Sequence, residues 1–156
     1  MIIDARNEFA DAEGVDGSAG TALIGDVIDL EVVGRDPGNG TPVYLVMTVD
    51  TSIITAGAAG TITFALASDA AAAIATNGSA TVHWQSQAFV TDGDDANALD
   101  AGDVIAVVAL PVGFPAYERY VGILATIATT AVTAGKINAF LTCDPHGWKA
   151  YADAVN

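Results

Sequence analysis

The chain has 156 residues, of which 19 are Asp or Glu and 5 are Lys or Arg, so its formal net charge is −14. This charge argues against partners bound through phosphates, whether nucleic acid or an anionic membrane surface, because such binding needs Lys and Arg to displace counterions. A hydrophobic content of 52% excludes wholesale disorder, and a single Cys excludes an intrachain disulfide.

The N-terminal third of the chain contains one polar segment, followed by the first segments with the sequence pattern of strands. Residues 1–21 are acidic and weakly periodic, which predicts an N-terminal arm with Phe9 as its anchor. A short strand is predicted over residues 27–33, and the Pro- and Gly-rich segment 36–42 predicts a turn. Residues 43–49 then place every second side chain on one apolar face, which is the signature of a half-buried strand.

The middle of the chain is uncharged over residues 51–68. This run is long enough to raise the question of a membrane span, but its Gly, Ser and Thr content favours two strands and a loop, so no membrane segment is expected. Within it, a period of two places Ile62, Phe64 and Leu66 on the inward face of a strand. The Ala-rich segment 69–75 predicts one short helix.

The remaining strands are predicted around an acidic loop. Residues 81–90 favour an extended backbone, and the acidic loop covers residues 92–103. The segment 104–110 is almost wholly apolar, which predicts a strand buried on both faces. The last two strands are predicted over residues 120–127 and 136–143, which brings the total to seven or eight.

The composition agrees with a fold made of strands. Val, Ile and Thr total 43 against 8 Leu, and β-branched side chains pack well on pleated sheets. We therefore predict an all-β fold, an antiparallel two-sheet sandwich that is either a jelly roll or immunoglobulin-like. One domain is expected over residues 1–156, divided into an N-terminal arm (1–21), the sandwich (22–143) and a C-terminal tail (144–156).

The acidic loop is the first candidate for metal binding. Asp92, Asp94, Asp100 and Asp103 occupy four positions of a calcium-loop template. The template's Gly and its bidentate Glu are missing, so a solvated loop is the better interpretation. Two His and one Cys do not supply a convincing zinc set. We therefore expect no bound metal.

Candidate catalytic residues are equally sparse. The Asp-Thr-Ser that begins at Asp50 lacks the Gly of the aspartic-protease signature and offers one carboxylate where two are needed. Cys143 precedes His146 by three residues, yet a Cys late in a strand is usually a small buried hydrophobe. His83, beside Trp84, fits a structural role. No phosphate-binding, dinucleotide-binding or serine-hydrolase motif occurs, so we expect neither catalysis nor a cofactor.

The positive signals concern protein surfaces. The aromatic residues at 117 and 120 flank an Arg after a Pro-flanked turn, and Arg and aromatic residues are the usual anchors of protein interfaces. Two further aromatic residues lie in the C-terminal tail, where they either pack on their own sandwich or anchor the tail on a neighbour. The predicted interface residues are Phe9, Tyr117, Arg119, Tyr120, Trp148 and Tyr151.

Several segments, in order along the chain, carry a resemblance to a known family. They are IIDA near the N-terminus leading to VIDL over 27–30, GNGTPVYLV over 38–46, TITFALASD over 61–69, and YERYVGI over 117–123 with TAGKINAFL over 133–141. In these segments the chain resembles the Bordetella-phage-type capsid cement (decoration) protein family of tailed bacteriophages. The similarity extends over nearly the whole chain.

The resemblance implies a jelly roll that binds the outer surface of a capsid built from major capsid proteins with the HK97-type fold. It also implies a homo-oligomer, with a trimer favoured and a dimer as the alternative. We expect the protein on the virion, at the outer surface of the capsid, after synthesis in the host bacterial cytoplasm. The alternative function is a non-catalytic β-sandwich module of a phage particle that binds a carbohydrate or a receptor.

Overall fold

Nine β-strands and one 3-10 turn make up the regular structure of the described residues. The computed structural model describes residues 5–31, 37–55, 60–93, 95 and 98–145. No helix among these residues is long and apolar enough to cross a membrane. The 3-10 turn covers Ala5–Asn7, and the strands are β1 (Glu8–Gly14), β2 (Gly20–Asp29), β3 (Tyr44–Thr55), β4 (Thr61–Asp69), β5 (Thr81–Gln85), β6 (Phe89–Val90), β7 (Val104–Ala109), β8 (Tyr120–Ala128) and β9 (Val132–Thr142).

The strands form two antiparallel sheets. Sheet A has the order β1-β9-β3-β7, and sheet B has the order β2-β8-β4-β5, with β6 also paired to β4. When β5 and β6 are counted as one interrupted strand, this is the strand order of a jelly roll. The predicted all-β antiparallel sandwich is therefore confirmed, and the strand order selects the jelly roll over the immunoglobulin-like alternative.

The main core lies between the two sheets. Leu45 and Met47 of β3 and Phe64 and Leu66 of β4 are fully buried in one continuous hydrophobic cluster. Their period of two matches the alternation predicted for both strands. Burial of each such side chain contributes about 2 kcal/mol, so this layer of side chains holds the sheets together.

A second, smaller hydrophobic cluster covers part of the other face of sheet B. Ile74, from the loop after β4, packs with Ala67 and Leu124. The Ile74 Cδ1 lies 2.7 Å from the position that a Cβ on Gly122 would take. Glycine at this point of β8 therefore leaves the space that Ile74 fills, and the loop is fastened to the sheet.

The predicted helix over residues 69–75 is wrong. β4 continues to Asp69, and the chain then bends without forming a helix. The Asp69 carboxylate accepts hydrogen bonds from the Ala75 N–H at 3.0 Å and the Ala71 N–H at 3.2 Å, and these bonds lower the pKa of Asp69 below its ordinary value. So short a segment does not offset the cost of helix nucleation, and burial of Ile74 determines the loop conformation instead.

The predicted N-terminal arm over residues 1–21 is also wrong where the structure describes it. β1 pairs with β9 at the edge of sheet A, and β2 begins at Gly20. Two register shifts interrupt β1, and Ala12 within it has a positive φ of 51°. Such bulges break the period of two, so this strand carries no regular alternation in its sequence. The sandwich begins at β1 and not at residue 22.

Other strand boundaries shift by smaller amounts. The strand predicted over 27–33 corresponds to β2, which ends at Asp29. The extended segment 81–90 forms two short strands, β5 and β6, and the strand predicted over 136–143 begins earlier, as β9. Of the predicted tail over 144–156, residues beyond 145 lie outside the described residues.

The strand predicted to be buried on both faces is an edge strand instead. The segment 104–110 contains β7, which lies at the end of sheet A beside β3. Val104 and Val107 are 48% and 47% exposed. An apolar run is compatible with a central or an edge position, and periodicity alone does not distinguish the two.

Candidate interaction surface

A charged patch at one end of sheet B contains two of the predicted interface residues. Asp29, the last residue of β2, is opposite Tyr120, the first residue of β8. The Arg119 guanidinium donates two hydrogen bonds to the Asp29 carboxylate, from Nε to Oδ1 at 2.9 Å and from Nη2 to Oδ2 at 2.8 Å. Its carbon Cζ lies 4.9 Å from the centre of the Tyr120 ring. Arg119 is therefore exposed but already paired within its own chain.

This ion pair shifts the pKa of both partners. The Arg119 hydrogen bonds, together with a Glu31 N–H that donates to Asp29 Oδ1 at 2.8 Å, lower the pKa of Asp29 to about 2. Asp29 in turn raises the pKa of Arg119. Both side chains are exposed to solvent, so water and salt screen the pair. The pair therefore orients Arg119 more than it stabilises the fold.

We expect the Asp29 carboxyl group to titrate near pH 2 instead of near its ordinary value of 3.8. Because folding lowers this pKa, the associated stabilisation is complete above about pH 4 and is lost as the pH falls toward the folded-state pKa. An NMR titration that follows the side-chain carboxyl carbon measures it. Arg119→Ala should raise the midpoint of the Asp29 titration. The midpoint should stay below the ordinary value of 3.8, because the Glu31 N–H still donates a hydrogen bond to the Asp29 carboxylate. A wild-type midpoint at the ordinary value would contradict the ion pair.

Tyr117, predicted at an interface, is a core residue instead. It is 1% exposed, and its ring stacks on His83 with the ring centroids 3.8 Å apart. Ser68 Oγ lies 2.7 Å from His83 Nε2 and accepts a hydrogen bond from the Glu118 N–H at 3.0 Å. These contacts fasten the segment before β8 to sheet B, which explains why an aromatic residue so close to an exposed turn is buried.

Phe9 is also withdrawn from the surface. It is 1% exposed within the main core, so it anchors β1 in its own sandwich and does not reach a neighbour. Trp148 and Tyr151 lie outside the described residues, and their role at an interface stays a prediction. Of the six residues predicted at an interface, the structure brings Arg119 and Tyr120 together at the surface.

The structure also shows the surroundings of the residues that have catalytic chemistry. Ser68, which the sequence does not single out, lies beside His83, and the pair has the donor and acceptor groups of a nucleophile and its base, but Ser68 is fully buried. A buried hydroxyl is not presented to a substrate, so this pair acts as a packing contact. Cys143 is exposed and borders a surface cleft of about 520 Å³. His146, its candidate partner, lies outside the described residues, and Asp50 is exposed at the surface.

Carboxylates of the acidic loop accept hydrogen bonds from the loop itself and from β3. Asp100 accepts a hydrogen bond from Ser52 Oγ at 3.3 Å, and Asp103 accepts one from the Asp100 N–H at 2.9 Å. Asp94 lies outside the described residues. Among the described residues, no group of three or more His, Cys, Asp or Glu side chains is arranged to hold a metal ion. The hydrogen bonds of the loop stabilise the turn that leads into β7.

Exposed apolar side chains that the sequence pattern does not predict lie along β7 and the segment after it. We call Val104, Val107, Val112 and Phe114 the β7 surface. Val112 is 56% exposed and Phe114 is 100% exposed, in addition to the two half-exposed valines of β7. The sequence does carry a signal for it, because residues 104–117 contain no charge in an otherwise acidic chain. An uncharged apolar run also fits burial in a core, so the pattern by itself does not predict an exposed surface.

A carbohydrate-binding module would present aromatic side chains to solvent, but three aromatic residues of the sandwich are largely withdrawn from it. Trp84 and Tyr44 are half-buried, and Trp84 packs against the main core. Tyr117 is buried beneath the surface. A platform for a sugar ring needs exposed aromatic faces, so these three residues give little support to a carbohydrate-binding module.

Comparison with known proteins gives a family match over most of the chain. A protein-family model described as Bbp16 matches residues 9–141. This range runs from the second residue of β1 to the penultimate residue of β9. No curated protein matches the chain.

Proposed function

Because the chain belongs to the Bbp16 family, we propose that it is a structural protein of a phage virion, a capsid cement (decoration) protein. It binds the outside of a capsid with HK97-type major capsid proteins and stabilises the contacts between them. The observation that carries the proposal is the family match, which extends over nearly the whole jelly roll, residues 9–141. The family name is consistent with a Bordetella phage protein.

The proposed mechanism needs no catalytic residue, cofactor or metal. A packaged phage head is under outward pressure, and a single contact between shell subunits is weak. A homo-oligomer that touches two or three shell subunits links several weak contacts, so that each one is re-formed at high effective concentration. The work needed to separate the subunits therefore rises without any new bond inside the shell.

Charge restricts the surfaces that such a protein uses. With a net charge of −14, copies of the chain repel one another and repel nucleic acid and anionic membranes at a distance. Binding to a shell then depends on close complementarity or on basic patches of the shell. The same charge leads us to expect protein partners and no nucleic acid or membrane partner.

Shells assembled without this chain, from a phage that encodes it, provide the test. We expect the purified chain to co-sediment with these shells and to raise the temperature at which they release DNA. At a free concentration of 100 times the Kd, binding stabilises each site by about 2.7 kcal/mol. An unrelated protein of similar size and charge is the control for non-specific adsorption.

A chain that neither sediments with the shells nor changes DNA release would contradict the cement proposal. Binding to a glycan or to a host-cell receptor in the absence of shell binding would support the alternative, a carbohydrate- or receptor-binding module. The two functions thus predict different partners for the same purified protein.

A further inference from the structure

Strand β7 leaves one side of its backbone without a neighbouring strand. It ends sheet A and, within the ranges that the structure describes, pairs with β3 alone. The N–H and C=O groups on the free side of an edge strand form a template for a further strand. Natural proteins often protect such edges with charged side chains, and β1, the opposite edge of sheet A, carries Glu8, Asp11 and Glu13.

The β7 surface has no such protection. Residues 104–117 are uncharged, although the chain contains 19 acidic and 5 basic residues. The two valines of β7 are half exposed, and the apolar character continues to Phe114, which is 100% exposed. Leaving a Phe side chain in water forgoes about 2 kcal/mol of burial free energy. Free backbone groups and exposed apolar side chains therefore occur along the same strand and the segment that follows it, as they do where extended strands add to a sheet.

We propose that the β7 surface binds the β7 strand of a second copy of this chain, in antiparallel orientation, so that the two A sheets join across a two-fold axis. This inference names the surface through which copies of the chain associate, and any role of that contact at a capsid rests on the proposed function. A two-fold contact uses the same surface on both copies, so the assembly is complete with two subunits. It therefore favours the dimer over the trimer.

Charge selects a second copy as the occupant. Two chains that each carry a net charge of −14 approach closely where acidic side chains are absent, and the β7 surface is such a place. In an antiparallel pair centred on Val107, Asp103 of one copy lies opposite Pro111 of the other, not opposite another carboxylate. At ~3.4 Å per residue the two Asp103 residues are about 27 Å apart along the strands, which is more than about three Debye lengths at physiological ionic strength.

The expected pair is of moderate strength. The strand and the segment that follows it, residues 104–116, supply fewer residues than the ~20–30 on each side of a standard interface. We therefore expect a monomer–dimer equilibrium that shifts from monomer to dimer as the protein concentration rises from about 1 μM to about 1 mM.

Light scattering on the full chain over this concentration range tests the proposal. The wild-type mass should double, whereas V107K, which places a charge in the middle of the edge, should remain a monomer. Phe114→Ser should weaken the pair in the same direction, and it removes a side chain that is 100% exposed, so the fold is not disturbed. Val82→Lys is the matched control, because Val82 is also 47% exposed and lies on β5, the edge of sheet B; this variant should dimerise like wild type.

Hydrogen exchange distinguishes strand pairing from a contact between side chains alone. Amides on the free side of β7 should exchange at least ~10-fold more slowly in the dimer than in the monomer, because pairing places them in a ladder. Amides of β5 should not change with concentration. Dimerisation without this protection of β7 would overturn the proposal that the strands pair.

Several other outcomes would also overturn it. These are a wild-type chain that stays monomeric up to about 1 mM or forms trimers, association that persists in both V107K and F114S, and association that is lost in V82K. The measurements use no capsid, so the two proposals fail separately. A chain that dimerises through β7 but does not bind shells contradicts the cement function alone, and a monomer that binds shells contradicts the pairing alone.

Discussion

Replacing Gly25 with alanine should destabilise the protein by about 3–5 kcal/mol, a large share of the stability of a typical domain. Gly25 lies in β2 with a φ of +62°, where a residue with a Cβ loses about 1–2 kcal/mol. A Cβ at this position would also overlap the carbonyl oxygen of Phe9 and lie 3.4 Å from the Cα of Ala10. These atoms belong to the backbone of β1 and cannot rotate away, so the overlap forces β1 and β2 apart.

Urea unfolding followed by circular dichroism measures this loss. Gly78→Ala is the matched control, because Gly78 has a φ of +90° but nothing lies within 4 Å of its Cβ position. The control therefore reports the cost of the backbone conformation alone, which we expect to be about 1–2 kcal/mol. Equal losses in the two variants would show that the close approach of β1 to β2 is not what requires glycine at position 25.

Phe64→Ala should lower the free energy of unfolding by about 3–5 kcal/mol and the melting temperature by about 10 °C. Phe64 lies within β4 and is fully buried in the main core. Strands on both sides hold β4 in place, so the sheet cannot collapse into the cavity that the missing ring leaves. The loss therefore includes a cavity cost in addition to the lost burial.

Phe114→Ala makes the same chemical change at a side chain that is 100% exposed. We expect its effect to stay within about 0.5 kcal/mol. Thermal unfolding of both variants at low protein concentration, where any pairing through the β7 surface is dissociated, gives the comparison. Similar losses in the two variants would contradict the burial assigned to one Phe and the exposure assigned to the other.

The strands that the sequence predicts best lie inside the sheets. β3 and β4 have neighbours on both sides, and the inward side chains of their first halves alternate without interruption, as at Leu45, Met47, Phe64 and Leu66. β1 has the opposite character, because register shifts against β9 break its alternation. A bulge depends on the partner strand, which is far away in the sequence, so no local pattern announces it.

Exposure is harder to predict than strand position. Tyr117 follows a Pro-flanked turn and has the composition of an interface, yet it is buried because His83 on β5 stacks against it. Val107 lies in a continuous apolar run, yet it is exposed because β7 ends sheet A. In both cases the order of the strands determines the environment, and that order is set by pairing between distant segments. Arg119 is predicted at an interface with a partner, yet its guanidinium pairs with Asp29 of its own chain.

The position of β9 has a consequence for synthesis of the protein. β9 is the last described strand in the chain, yet it lies between β1 and β3 inside sheet A. On the ribosome, β1 emerges first and stays without its partner until residues up to Thr142 have been translated. Pairing over such a sequence separation is slow and leaves strand edges exposed in the nascent chain. Translation products that stop before β9 lack the strand that joins β1 to β3, so they cannot complete sheet A.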